Sequence, residues 1–195
     1  MKQALALSLV VGLALVGSAC SQKAPAEAAL TAAQTAFDAV KGDAKVYVPD
    51  QLQAVEDAFA AVKASFDGGD YAKALADATG LLDKVNGLKD ASEAKRKELS
   101  ATWSQLSTSM PPVVASIQTR VTELSKMRRL PRELSKENFE AAKTGLDEIT
   151  QAWTAATGAM DGGDLVGAVA KAAPVKAKAL EMLNLLGMPV PDSLK

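Results

Sequence analysis

Histidine is absent from this 195-residue chain, and cysteine occurs once. The first absence removes the commonest metal ligand and the commonest general base. The second rules out an intrachain disulfide and a cysteine-rich metal site. Aromatic residues are scarce, 4% against 48% hydrophobic overall, so the apolar content is mostly alanine, leucine and valine. That mixture suits close-packed helices better than sheets. Charge of one sign is also lacking: the formal net charge of −1 gives no global field for nucleic acid or acidic substrates. No glycine-rich phosphate loop, haem-attachment motif or pair of carboxylates on a shared face stands out. A serine nucleophile would need lysine as its base. The expectation is a protein that is not an enzyme, with no cofactor, no metal site and no nucleic-acid partner.

The single cysteine carries the most information. Met1-Lys2-Gln3 precedes an apolar run from Ala4 to Val16. A helix of that length reaches only ~20 Å, short of the ~30 Å hydrocarbon core, so it reads as a signal-peptide core rather than a membrane span. It closes on Leu15-Val16-Gly17-Ser18-Ala19-Cys20. Small residues directly before a cysteine resemble the lipobox of bacterial lipoproteins, although Gly17 stands where a branched residue is usual. The resemblance implies cleavage before Cys20, lipid on its thiol and an acylated amino terminus. Several acyl chains anchor durably where one binds reversibly. Ser21, in place of the aspartate that retains Gram-negative lipoproteins at the inner membrane, implies the outer membrane, facing the periplasm.

The remainder reads as helix. Apolar residues fall at Leu30, Ala33, Phe37 and Val40, then at Leu52, Val55, Phe59, Val62 and Phe66. They resume at Tyr71, Leu75, Ala78, Leu82 and Val85, at Val114, Ile117, Val121 and Leu124, and from Phe139 through Ile149 and Trp153 to Met160. The last set runs from Leu165 through Val169, Ala172, Ala179 and Leu183 to Leu186. Steps of three and four dominate and nothing alternates with period two. The narrow seam predicts an all-α, elongated antiparallel helical bundle. Lys41–Asp50 reads as a turn segment. Ser109-Met110-Pro111-Pro112 reads as the stop of one helix and the start of another. Tyr71–Thr108 is either one long helix or two hinged near Gly87–Asp90.

Two phrases recur. Asp67-Gly68-Gly69-Asp70 returns as Asp161-Gly162-Gly163-Asp164, and at that offset Val55 aligns with Ile149, Phe59 with Trp153 and Gly80 with Pro174. Val48-Pro49-Asp50-Gln51-Leu52 has echoes in Leu130–Leu134 and Val190–Leu194, each a candidate helix start with proline leading. These repeats predict a duplicated helical unit. The expected organisation is a signal peptide over 1–19, a lipidated cysteine and tether over 20–26, a first helical unit over 27–109 and a second over 110–195, packed together as one domain.

Each Asp-Gly-Gly-Asp lies where one apolar seam ends and the next begins. Glycine permits the left-handed residue that closes a helix, and Asp70 and Asp164 fall at N-cap, where a carboxylate meets free backbone N–H groups. Two carboxylates fall short of the six to eight oxygens calcium takes. Gly69-Asp70-Tyr71 followed by spaced alanines resembles a tetratricopeptide helix start, but the 34-residue period of that family is missing. A closer resemblance is to bacterial lipoproteins of helical-hairpin type, carried by Tyr47-Val48-Pro49, the run Leu52–Phe66 and Gly69-Asp70-Tyr71. It covers residues 28–90 well and 130–186 more loosely, and that group offers no catalytic residues to carry over.

Lys126, Arg128, Arg129 and Arg132 gather in Lys-Met-Arg-Arg-Leu-Pro-Arg. Their simpler reading is a helix C-terminus where cations favour the dipole; the other is contact with a polyanion such as anionic lipid or lipopolysaccharide. Trp103 and Trp153 are expected as core anchors rather than ligand stackers. The function expected from these features is a membrane-anchored envelope lipoprotein acting as a structural or adaptor module toward an envelope protein, with Tyr71–Thr108 as its contact stripe. The alternative is a periplasmic helical bundle that binds a small ligand or lipid in a cavity between helices.

Overall fold

A computed structural model describes residues 7–194, with side chains from residue 22 onward. It is all-α, with no strand among the described residues: α1 Leu7–Tyr47, α2 Pro49–Asp67, α3 Tyr71–Ser125, α4 Lys136–Asp161 and α5 Leu165–Leu185, followed by a 3-10 turn at Asp192–Leu194. The chain divides between Arg96 and Lys97 into two compact units. In the first, α1, α2 and the start of α3 close on Phe37, Leu52, Val55, Val62, Leu81, Val85 and Leu88. In the second, the rest of α3 packs with α4 and α5 around Met110, Ile117, Leu124, Ile149, Val175, Met182 and Leu183.

The connection between α1 and α2 is shorter than the sequence suggests. Lys41–Tyr47 is still helix and only Val48 is not, because Pro49 needs no amide partner as the first residue of α2. The tether is helical as well: residues 21–26 lie inside α1. Ala26 is fully buried, in step with Ala33, Phe37 and Ala44 on the same helix. Across α1 and α2 the Phe37 and Phe59 rings lie 4.9 Å apart, and Lys41 pairs with Glu56 at 2.6 Å.

Tyr71–Thr108 is one helix, and α3 does not stop at Pro111-Pro112. The two prolines remove the amides that would bond to the carbonyls of Ser107 and Thr108. Both prolines are exposed, on the face of α3 turned away from the core. The buried positions continue across them without a break, at Leu106, Met110, Val113, Ile117, Val121 and Leu124. Burial of that face, with a large aliphatic side chain contributing about 1.5–3 kcal/mol, outweighs the local cost of proline. The inward valine is Val113, at 2% exposure, with Val114 at the edge of the core. α5 likewise runs through Pro174, and α3 through Gly80.

The three proline-leading phrases differ. Val48–Leu52 starts α2, whereas Leu130–Leu134 lies ahead of α4, which begins at Lys136 with Ser135 Oγ accepting the Asn138 N–H at 3.0 Å. In the other two copies the proline carbonyl accepts the leucine N–H three residues on, Pro131 to Leu134 at 3.1 Å and Pro191 to Leu194 at 3.0 Å. Both leucines are buried, so these phrases act as anchored turns.

Candidate functional site

The repeated turn has the same geometry in both units. Gly69 and Gly163 take positive φ, +82° and +81°. The Gly69 N–H donates to the Phe66 carbonyl and the Asp70 N–H to that of Ser65, each at 3.0 Å; Gly163 to Met160 and Asp164 to Ala159 repeat this at 2.9 Å. This is the Schellman closure, which satisfies carbonyls that a helix end leaves free. The next residue caps the following helix: Asp70 Oδ1 accepts the Lys73 N–H at 3.1 Å, and Asp164 Oδ1 accepts the Gly167 N–H at 2.7 Å. The aspartates are thus engaged with backbone amides. No cluster of three or more metal-ligating side chains occurs among the described residues.

At the offset that aligns the turns, buried residues align as well: Val55 with Ile149, Val62 with Ala156, Ala74 with Ala168, Ala78 with Ala172, Leu81 with Val175, Val85 with Ala179 and Leu88 with Met182. The surface follows. A groove of about 360 Å³ between α2 and α3 is lined by Ala58, Gly80, Leu81 and Lys84. One of about 360 Å³ between α4 and α5 is lined by Ala152, Pro174, Val175 and Lys178, the aligned residues. Both are open to solvent and apolar at the floor. Lys178 lies 3.3 Å from Glu148 and 3.3 Å from Glu181. The hydrogen bonds it donates to these two carboxylates raise its pKa above the usual 10.5, which keeps it an ammonium and a poor base.

Trp103 and Trp153 are half-buried and stack on each other, centroids 5.8 Å apart and planes 9° from parallel, at the edge of the second unit's core. They are packed against the core without being enclosed by it. The basic segment falls outside α3, which ends at Ser125 with no cation in its last turn. Lys126, Arg128, Arg129, Arg132 and also Lys136 are exposed, and none has a carboxylate within ion-pair distance among the described residues. Met127, between them, is 47% exposed. Sequence reasoning noted neither Met127 nor Lys136 as part of this patch; the only signal was their place within and beside the basic run. The Cys20 side chain lies outside the described residues. No described helix is long and apolar enough to cross a membrane.

No family model matches the chain, and no curated protein or solved structure matches it. What the geometry defines is a class: an all-α protein with a helix–turn–helix element of the same turn geometry in each of its two units.

Proposed function

We propose that the chain is a lipid-anchored protein of the bacterial envelope, at the outer membrane and facing the periplasm, and that it works as a structural or adaptor module without catalysis. The observation that carries this reading is the sequence Leu15–Cys20 at the close of a short apolar run. The adaptor part is supported by the two aligned grooves. Each presents an apolar floor of small residues beside a lysine, the form in which an amphipathic helix of a partner seats itself. The contact surface is placed in these grooves rather than along the outside of Tyr71–Thr108. Among the described residues, the exposed large hydrophobic ones, Val46, Met127 and Val190, all lie outside that segment. The two halves are proposed to be copies of one helical unit, on the shared turn geometry and the aligned buried positions.

The second reading, a bundle that binds a small ligand or lipid, is supported by an apolar hollow of about 380 Å³ between α1 and α2, lined by Leu30, Phe59 and Lys63. It ranks below the first because that hollow, like the grooves, is open to solvent rather than enclosed, and a ligand site buries most of its ligand. Mass spectrometry of the processed chain tests the anchor. A diacylglycerol thioether on Cys20 is expected, together with release of a Cys20→Ala variant from the membrane fraction. An unmodified cysteine in a membrane-free chain would refute it. Cross-linking in intact cells from cysteines placed at Ala58 and Ala152 tests the adaptor reading, which requires the same partner from both grooves.

A further inference from the structure

The segment from Lys126 to Lys136 concentrates charge of one sign in a chain whose formal net charge is −1. Five exposed cations stand against one carboxylate, Glu133. Some cations elsewhere are paired, as Lys41 is with Glu56, Lys143 with Glu140 and Lys178 with Glu148 and Glu181, and the unpaired ones are not gathered in so short a stretch. In this segment none is paired, so the positive potential is left uncompensated. The backbone is held from beneath. The N–H groups of Lys126 and Met127 donate to the carbonyls of Glu123 and Leu124, Leu134 is buried, and Leu130 packs on the core. The side chains at 126–129 and 132 are therefore presented outward from a pinned support.

We propose that this segment is a docking surface for an anionic lipid bilayer. The cations meet lipid phosphates, with the arginines able to bind them through two parallel N–H groups. Met127 distinguishes a bilayer from a soluble polyanion. An apolar side chain held in water among cations serves no purpose on a polysaccharide, whereas at a membrane it enters the boundary between headgroups and acyl chains. Nucleic acid is disfavoured because the segment has no aromatic ring on which a base could stack. The surface is independent of the anchor proposed at Cys20: it acts through headgroup charge, which an acyl chain does not sense.

The test reads the segment itself, so attachment elsewhere in the chain does not enter. Amide hydrogen exchange of residues 126–135 is measured for the full chain with vesicles of phosphatidylcholine alone and with vesicles containing phosphatidylglycerol. Slowing of on the order of tenfold is expected with the anionic vesicles only. It disappears at 1 M salt, where the screening length falls to about 3 Å. A variant with Lys126, Arg128, Arg129 and Arg132 each changed to Gln loses it; at roughly fivefold in affinity per cation, the four together amount to several hundredfold. Met127→Ser weakens it. These positions are exposed, so the variants keep their helical circular dichroism. Equal slowing with phosphatidylcholine, no slowing with either vesicle, or slowing by soluble polyphosphate that Met127→Ser leaves unchanged would each overturn the proposal.

Discussion

The two glycines of Asp161-Gly162-Gly163-Asp164 have different duties, and alanine separates them. Gly162 has φ of −77°, ordinary helical backbone, and a Cβ there would meet the Ala159 carbonyl oxygen at 3.4 Å, a normal contact. Gly163 has φ of +81° with open space around a would-be Cβ. Both substitutions narrow the unfolded ensemble alike, which stabilises by about 0.4–1 kcal/mol. Only Gly163→Ala sets a side chain in the left-handed region, at a cost of roughly 1–2 kcal/mol. Gly162→Ala is thus expected to be neutral or slightly stabilising, and Gly163→Ala less stable than Gly162→Ala by roughly 1–2 kcal/mol. Both tryptophans belong to the second unit, so tryptophan fluorescence reports on the unit that carries this turn. In urea the gap corresponds to about 0.3–2 M between midpoints, for slopes of about 1–3 kcal/mol/M. Equal midpoints for the two variants would refute the assignment of the turn to backbone conformation at the second glycine.

Two other glycines test packing. A Cβ on Gly145 would lie 2.2 Å from Met182 Sδ, and Met182 has no exposure to move into, whereas Gly87 has nothing within 4 Å. Gly87→Ala should stabilise by about 0.5–1 kcal/mol through helix propensity. Gly145→Ala should set that gain against about 1–3 kcal/mol of overpacking, and become stabilising once Met182→Ala makes room, as thermal unfolding of the two single and one double variant would show. For Lys178 the raised pKa fixes the sign of a pH effect. The ammonium gains its two carboxylates only on folding, so its contribution is full below the unfolded value of 10.5 and fades as pH rises through the higher folded value. The stability difference between the wild type and Lys178→Met, followed by urea midpoints, should therefore hold from pH 7 to 9 and shrink in strong alkali.

Local signals succeeded where local chemistry decides. The Asp-Gly-Gly-Asp turns were legible because a positive φ and a cap carboxylate are properties of single residues, and Gly163 and Asp164 supply them. The prolines at 111 and 112 misled because helix continuation there rests on Met110 and Val113 being buried by another element, which no neighbouring residue announces. Val113 and Val114 illustrate a related limit. Adjacent valines fit a 3.6-residue period almost equally well, and only the packed helix selects between them. The basic run was seen, but its position beyond the last turn of α3 and its lack of counter-ions depend on where α3 ends and how the loop folds back through Leu130. Those are tertiary facts.

The shared register of the two units follows from the shortness of their turns. Between α2 and α3, and between α4 and α5, three residues separate the helices, and the last of the three already caps the next helix. No slack remains for the second helix to rotate. One inserted residue would turn it by about 100° and swing Ala168, Ala172, Val175 and Ala179 out of the core. Once the turn is fixed, the buried positions are fixed with it, and their alignment is what packing demands. Packing makes no such demand of the rim. Lys84 and Lys178 lie partly or fully exposed at the edges of the two grooves and stand at aligned positions all the same. Lys178 is held at its rim by Glu148 and Glu181, whereas Lys84 has no carboxylate within ion-pair distance among the described residues, so ion pairing within a unit does not account for the repetition; the adaptor proposal does, with both lysines facing a partner seated in the groove.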